Sequence, residues 1–256
     1  NAFIRFFLSH GLLNITNRPL WRTVKGGSKE YVKRLADSYK ESIRFEKVSA
    51  IRRKVDGVEI KNYKNEIENF DHVVIATHAD EAFLLLEDPS PREKYLLSSW
   101  KYTRNQAVLH NDYNLMPKRK RVWSSWNFIA NGKPDRDEKV CLTYWMNRLQ
   151  NIPEAHPLFV TLNPGEVIMD EAIISEHEYT HPYFDTNALE SQKNLWDIQG
   201  INRTWFCGSY FGYGFHEDGL QSGLAVAEQL GGLSRPWNTV DENDRIIVKS
   251  PNQVAA

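Results

Sequence analysis

The sequence predicts an α/β fold on three observations. Residues 203–232 read as strand, glycine loop and helix: Thr204, Trp205, Phe206 and Cys207 form a β-prone run, Gly208, Gly212 and Gly214 interrupt it, and a helical pattern begins near Asp218. His72 to Thr77 is a continuous apolar run of the kind buried in a parallel sheet. Beyond the Pro-rich break at residues 88–91, segments 106–110, 121–128, 140–146 and 159–162 read as strands rich in Trp and Tyr, which places a mostly antiparallel sheet inside the α/β frame.

Composition narrows the function classes. With 256 residues, 41% of them hydrophobic and 12% aromatic, the chain is globular and long enough for one large or two modest domains. A net charge of -1 gives no global electrostatic case for nucleic acid or an anionic membrane, and the basic cluster at residues 118–121 reads as a solvated turn. Cys141 and Cys207 make neither a disulfide framework nor a metal-type pair, so a reducing, cytoplasmic setting is expected. No apolar run reaches the ~18 residues of a spanning helix. The chain opens inside an apolar pattern (Phe3, Ile4, Phe6, Phe7, Leu8), which reads as a start in mid-domain.

In chain order, Gly26 and Gly27 permit a tight turn and Ser28 is placed to cap a helix whose apolar face is Tyr31, Val32, Leu35, Ala36 and Tyr39. Segments 43–45, 48–55, 58–62 and 66–70, separated by turn chemistry, read as a β-meander that feeds the run at 72–77. A short helix over 80–86 precedes the break, and a helix over 187–196 leads back to the strand at 204. In the last helix Gly219, Gly223 and Ala227 share one face, where another element or a flat ligand can approach the backbone, while Leu220, Leu224 and Leu230 are expected to supply core contacts. The alternative is that Asp218 caps an ordinary helix and the glycines serve helix-to-sheet packing.

The segment Phe206-Cys-Gly-Ser, followed by Gly-Phe-His-Glu-Asp-Gly-Leu-Gln-Ser-Gly-Leu-Ala-Val-Ala-Glu, resembles the C-terminal flavin-contact segment of FAD-dependent amine oxidases and phytoene-desaturase-like oxidoreductases. Within that superfamily it is most similar to a bacterial branch of FAD/NAD-binding amine-oxidase-like proteins. The resemblance implies a partial glutathione-reductase-type FAD-binding domain over 1–88 and 185–256 and an inserted substrate domain over 89–184. It also implies FAD as cofactor and hydride transfer from a substrate C–N or C–C bond to flavin N5. By the same resemblance His216, Glu217, Asp218, Gly219 and Leu220 face the flavin pyrimidine, Gly208 and Ser209 adjoin the ribityl chain, Val48 lies by the adenine, and Ala76 and Thr77 lie beside the cofactor. Lys101 is the one lysine nominated for a place near N5. Trp123, Trp126, Tyr144, Trp145, Tyr213 and Phe215 are substrate-pocket candidates, with core packing as the alternative for the strand aromatics. The substrate is expected to be a small hydrophobic or amine molecule.

Two departures stand beside the resemblance. The Gly-x-Gly-x-x-Gly turn that normally opens such a domain is missing from the sequence, and Ser209-Tyr210 stands where many relatives carry an acidic residue. His177, Glu178 and His181 match the His-Glu-x-x-His pattern of zinc hydrolases. Pro182 and the β-prone flank argue for an extended chain there, in which roughly 13 Å of rise separates the two imidazoles. No metal site is expected. A non-catalytic protein that binds hydrophobic ligands is the remaining alternative.

Overall fold

The computed structural model describes residues 11, 13–17, 20, 22–128, 141–237 and 246–249; the apolar pattern at residues 3–8 lies outside them. In chain order the elements are α1 (Lys29–Ala36), β1 (Val48–Arg53), β2 (Val58–Asn62), β3 (Ile67–Phe70), β4 (Val73–Ile75), α2 (Ala79–Leu85) and α3 (Pro91–Ser98). There follow β5 (Lys101–His110), β6 (Trp126–Phe128), β7 (Leu142–Trp145), α4 (Met146–Gln150), β8 (Phe159–Leu162), β9 (Ile173–Tyr183), α5 (Thr186–Gln192), β10 (Thr204–Phe206) and α6 (His216–Gly231). The chain divides into two compact units, one of Arg44–Thr103 with His181–Ala256 and one of Asn1–Ile43 with Arg104–Thr180.

The first of these is an α/β unit. β1, β2 and β3 form the antiparallel meander, while β4 and β10 form a parallel pair in which Val73, Val74 and Ile75 stand opposite Thr204, Trp205 and Phe206. Leu96 and Leu97 of α3, Trp100, Ala79 and Ala82 of α2, Phe206, Tyr210, Phe211 and Val226 bury into one core with Ile51 and Ile75. α3 therefore belongs to this core. The Pro-rich break at residues 88–91 is the start of that helix: Ser90 accepts from the Glu93 amide at 3.2 Å, Glu93 reaches back to the Ser90 amide at 2.8 Å, and Pro91 sits where its missing N–H costs nothing. The two compact units divide the chain at 43/44, 103/104 and 180/181.

A buried ion pair closes this unit. Arg53 at the end of β1 meets Glu93, and both side chains are almost wholly buried; Arg53 also bonds to Asp88 at 3.0 Å. On the outer edge of β10 the Gln199 amide takes both backbone groups of one residue: the Phe206 N–H donates to Gln199 Oε1 at 2.8 Å and Gln199 Nε2 donates to the Phe206 carbonyl at 2.7 Å.

The second unit holds the sheet ordered β6-β7-β8-β5-β9, antiparallel along β6, β7, β8 and β5. Its small core comprises Val108, Leu115, Ile168 and Ala172. Beside it runs a buried polar row: His110 Nε2 lies 2.8 Å from Thr161 Oγ1, which lies 2.9 Å from Thr143 Oγ1. Residues 43–45 form no strand, and Tyr31, Val32 and Leu35 of α1, with Tyr39 beyond its end, are all exposed. Ser28 makes no side-chain cap bond, because its own backbone is already helical.

Candidate functional site

In open parallel sheets, ligands gather outside the carboxyl ends of the strands. Because β4 and β10 run parallel, that end brings Ala76 and Thr77 together with Cys207 and Gly208. Gly208 has φ 156°, and a Cβ built on it would lie 2.7 Å from the Tyr210 ring and 3.5 Å from the Thr77 carbonyl oxygen. Only glycine fits this turn. Ala76 and Thr77 are exposed, whereas Cys207 is buried and its thiol is pushed up by desolvation.

Three side chains then shape residues 208–215. Gln192 Nε2 donates to the carbonyls of Tyr210 (2.8 Å) and Gly212 (2.6 Å). Asp218, buried in the first turn of α6, accepts the Phe215 N–H at 2.8 Å, and a Cβ on Gly212 would overlap its carboxylate. Ser222 accepts the Gly208 N–H at 3.0 Å and reaches the carbonyls of Gly208 (3.1 Å) and Gly219 (3.0 Å). The sequence singles out Asp218, as a cap or a flavin contact, but neither Gln192 nor Ser222. The available signal was the Asp218–Ser222–Val226 spacing, which aligns them on one helical face.

That face is the buried one. α6 turns Asp218, Gln221, Ser222, Ala225 and Val226 inward. The expectation that Leu220, Leu224 and Leu230 pack in the core is corrected: Leu220 is 55% exposed, Leu224 is half-buried and Leu230 is partly exposed. The Ser222 and Asp218 bonds to the glycine loop set this rotation. The outward face is left with Gly219, Leu220, Gly223 and Leu224; nothing lies within 4 Å of a Cβ on Gly223, and the Ser209 amide is 3.8 Å from one on Gly219. The glycines therefore do not serve packing onto the sheet.

Tyr210 and Trp100 pack edge to face at 5.6 Å, and the Tyr210 hydroxyl and Trp100 Nε1 are buried without a hydrogen-bond partner. Burial holds the Tyr210 phenol far above its ordinary value. Tyr102 accepts the Ala79 N–H at 2.9 Å and stacks on His78 at 4.3 Å; its phenol is likewise raised by burial.

Val48 begins β1 and packs, half-buried, on the same core. Lys101 begins β5; its side chain is 69% exposed and pairs with Asp185 at 3.4 Å. The Ala188 amide, first, and Lys101 hold the Asp185 carboxyl below its usual range. Of the aromatic candidates, Tyr213 and Phe215 lie on the glycine loop of the α/β unit, and the other four belong to the second unit. There Trp123 and Trp145 meet at 5.3 Å and Trp126 opposes Tyr144 across strands at 6.3 Å. The space around Trp123 and Trp145, lined also by Tyr113 and Asn147, amounts to about 10 Å³. His177 and His181 lie in β9, so the helical face needed for zinc is absent and the hydrolase reading fails. Among the described residues there is no group of three or more metal-ligating side chains.

Residues 5–111 match the family model described as flavin containing amine oxidoreductase. The similarity to that model covers under half of the chain. No curated protein matches the sequence. The fold is shared with a redesigned putrescine oxidase (12% identity, TM-score 0.56), over 82% of this chain and 54% of that one. It is shared likewise with a reduced UDP-galactopyranose mutase (11% identity, TM-score 0.56), over 82% and 53%. A fatty acid isomerase from P. acnes that produces CLA aligns at 13% identity and TM-score 0.51, over 72% and 47%. The chain thus spans about half the length of the solved structures it matches. Among the described residues no helix is long and apolar enough to cross a membrane.

Proposed function

We propose that this chain is the C-terminal portion of a FAD-dependent oxidoreductase of the amine-oxidase type, acting on a small hydrophobic or amine substrate in the cytoplasm. The observation that carries the reading is the outward face of α6, where Gly219 and Gly223 leave backbone open to a flat ring beside the carboxyl ends of β4 and β10. The residues present fit FAD. Gly208, Ser209 and Thr77 line the turn, Val48 is assigned to the adenine, and the first N–H groups of α6 are oriented to stabilise negative charge near His216 to Leu220.

When bound, FAD supplies the two-electron acceptor that takes a hydride from a C–N or C–C bond. The protein's part is to bind the ring, hold it against the backbone and place its own dipole toward charge that develops there. We assign cofactor binding to the unit of Arg44–Thr103 and His181–Ala256. To the other unit we assign substrate contacts through Trp123, Trp126, Tyr144 and Trp145. Tyr213 and Phe215 are assigned to the substrate from the glycine loop. Lys101 stays a candidate for N5 only if its pairing with Asp185 is exchanged.

The test is Gly219→Val in the full-length natural protein. A Cβ at 219 meets nothing closer than 3.8 Å and valine is no poorer a helix former than glycine, so the fold tolerates the change. FAD affinity is expected to fall at least tenfold with a modest shift in reduction potential, while Leu220→Met stays nearly silent. A folded variant with wild-type affinity and potential would show that α6 does not face the flavin. A full-length protein without absorbance near 450 nm would favour the hydrophobic-ligand reading.

A further inference from the structure

We infer that Ser222 is a positioning residue for the cofactor: one buried hydroxyl sets the distance between the Gly208 turn and the first turn of α6. The inference rests on the FAD reading above. A serine inside a helix commonly bonds back to its own preceding turn, which Ser222 does at the Gly219 carbonyl. Here the same oxygen also accepts the Gly208 N–H and reaches the Gly208 carbonyl. Gly208 lies two residues beyond the end of β10, so its N–H has no strand to join, and the hydroxyl satisfies this part-buried donor.

The partners of this hydroxyl set it apart from the other side chains on the loop. Gln192 holds Tyr210 and Gly212, and Asp218 holds Phe215, so both act on the stretch between the strand and the helix. Ser222 touches Gly208 and Gly219, one from each of the two backbone stretches assigned to the cofactor. Losing it frees these two stretches to separate while the core face of Ala225 and Val226 stays packed.

The experiment compares S222A with Q192A as a control, in the full-length natural protein. S222A removes the hydroxyl and leaves a methyl in the same space. Hydrogen exchange at the Gly208 amide is expected to quicken at least tenfold, FAD affinity to fall at least tenfold, and the reduction potential and the fine structure of the flavin absorption bands to change. S222T, which keeps the hydroxyl, is expected to recover the potential. Q192A is expected to lower stability without moving the potential. Should S222A not fold, S222C, which nearly keeps the volume but bonds weakly, is read in the same way. Faster Gly208 exchange with wild-type affinity and potential would overturn the positioning role and leave the FAD reading intact, as would unchanged exchange. A wild-type protein that binds no flavin would overturn both.

Discussion

Glycines near the proposed site answer to two different demands. At Gly208 the backbone adopts φ 156° and a side chain would strike the Tyr210 ring, so Gly208→Ala combines backbone strain with a collision inside the core. It is expected to destabilise the protein by roughly 1–3 kcal/mol, read as a lowered denaturant midpoint with unchanged slope. Gly223 is the opposite case, since an added Cβ meets nothing within 4 Å. Gly223→Ala is expected to stabilise the flavin-free protein by about 0.5–1 kcal/mol through helix propensity, so its cost would appear only in cofactor affinity. A loss of stability on that change would mean that the outward face of α6 is covered.

At the scale of elements, the buried pair of Arg53 and Glu93 joins β1 to α3 while Glu93 also closes the helix start. Glu93→Gln leaves the buried guanidinium with Asp88 as its charge partner, and a loss of about 1–3 kcal/mol is expected in chemical denaturation. The polar row on β5, β8 and β7 gives a pH prediction. His110 Nδ1 accepts the Asp112 N–H, and burial lowers its ring below the ordinary histidine value although the Asp112 charge pulls upward. The unfolded chain therefore takes up the proton first. Stability from this group is present above about pH 6.5 and declines as pH falls below it, until the folded value is passed. Denaturation midpoints between pH 7.5 and 5 should show this decline, and His110→Asn should remove it.

Much of this was readable beforehand. Period and turn chemistry gave the meander, the parallel strand at 73–75 and the strand–loop–helix at the end. The prolines of Asp88-Pro-Ser-Pro91 suggest a boundary, yet Ser90, Pro91 and Glu93 also spell a helix start. The rotation of α6 has a physical reason: hydropathy alone puts Leu220 and Leu224 inside, whereas the Gly208 and Phe215 N–H groups donate to Ser222 and Asp218 and turn the opposite face inward. Side-chain bonds to distant backbone leave no periodic trace in a sequence.

For the whole molecule, Pro182 and the β-branched flank outweighed a motif match, since β9 holds His177 and His181 in extended chain. Zinc above trace levels is not expected at these residues, and one equivalent lost in His177→Ala would contradict that. The chain spans about half of the solved structures it matches and carries no Gly-x-Gly-x-x-Gly turn. On the proposed function, the 256-residue chain should bind FAD more weakly than the full-length natural protein, and equal stoichiometric binding in a flavin titration would show that the fingerprint is dispensable.

The Gln199 amide has a further consequence for how this protein meets other chains. A sheet grows when an incoming strand finds unpaired donors and acceptors along its margin. At Phe206 both groups are already spent on Gln199, so that margin offers no template to an exposed strand of a neighbour. Among the described residues β4 pairs with β10 alone, and Val74 is 42% exposed. Recruitment to the parallel pair is therefore one-sided, and a strand joining it does so alongside β4.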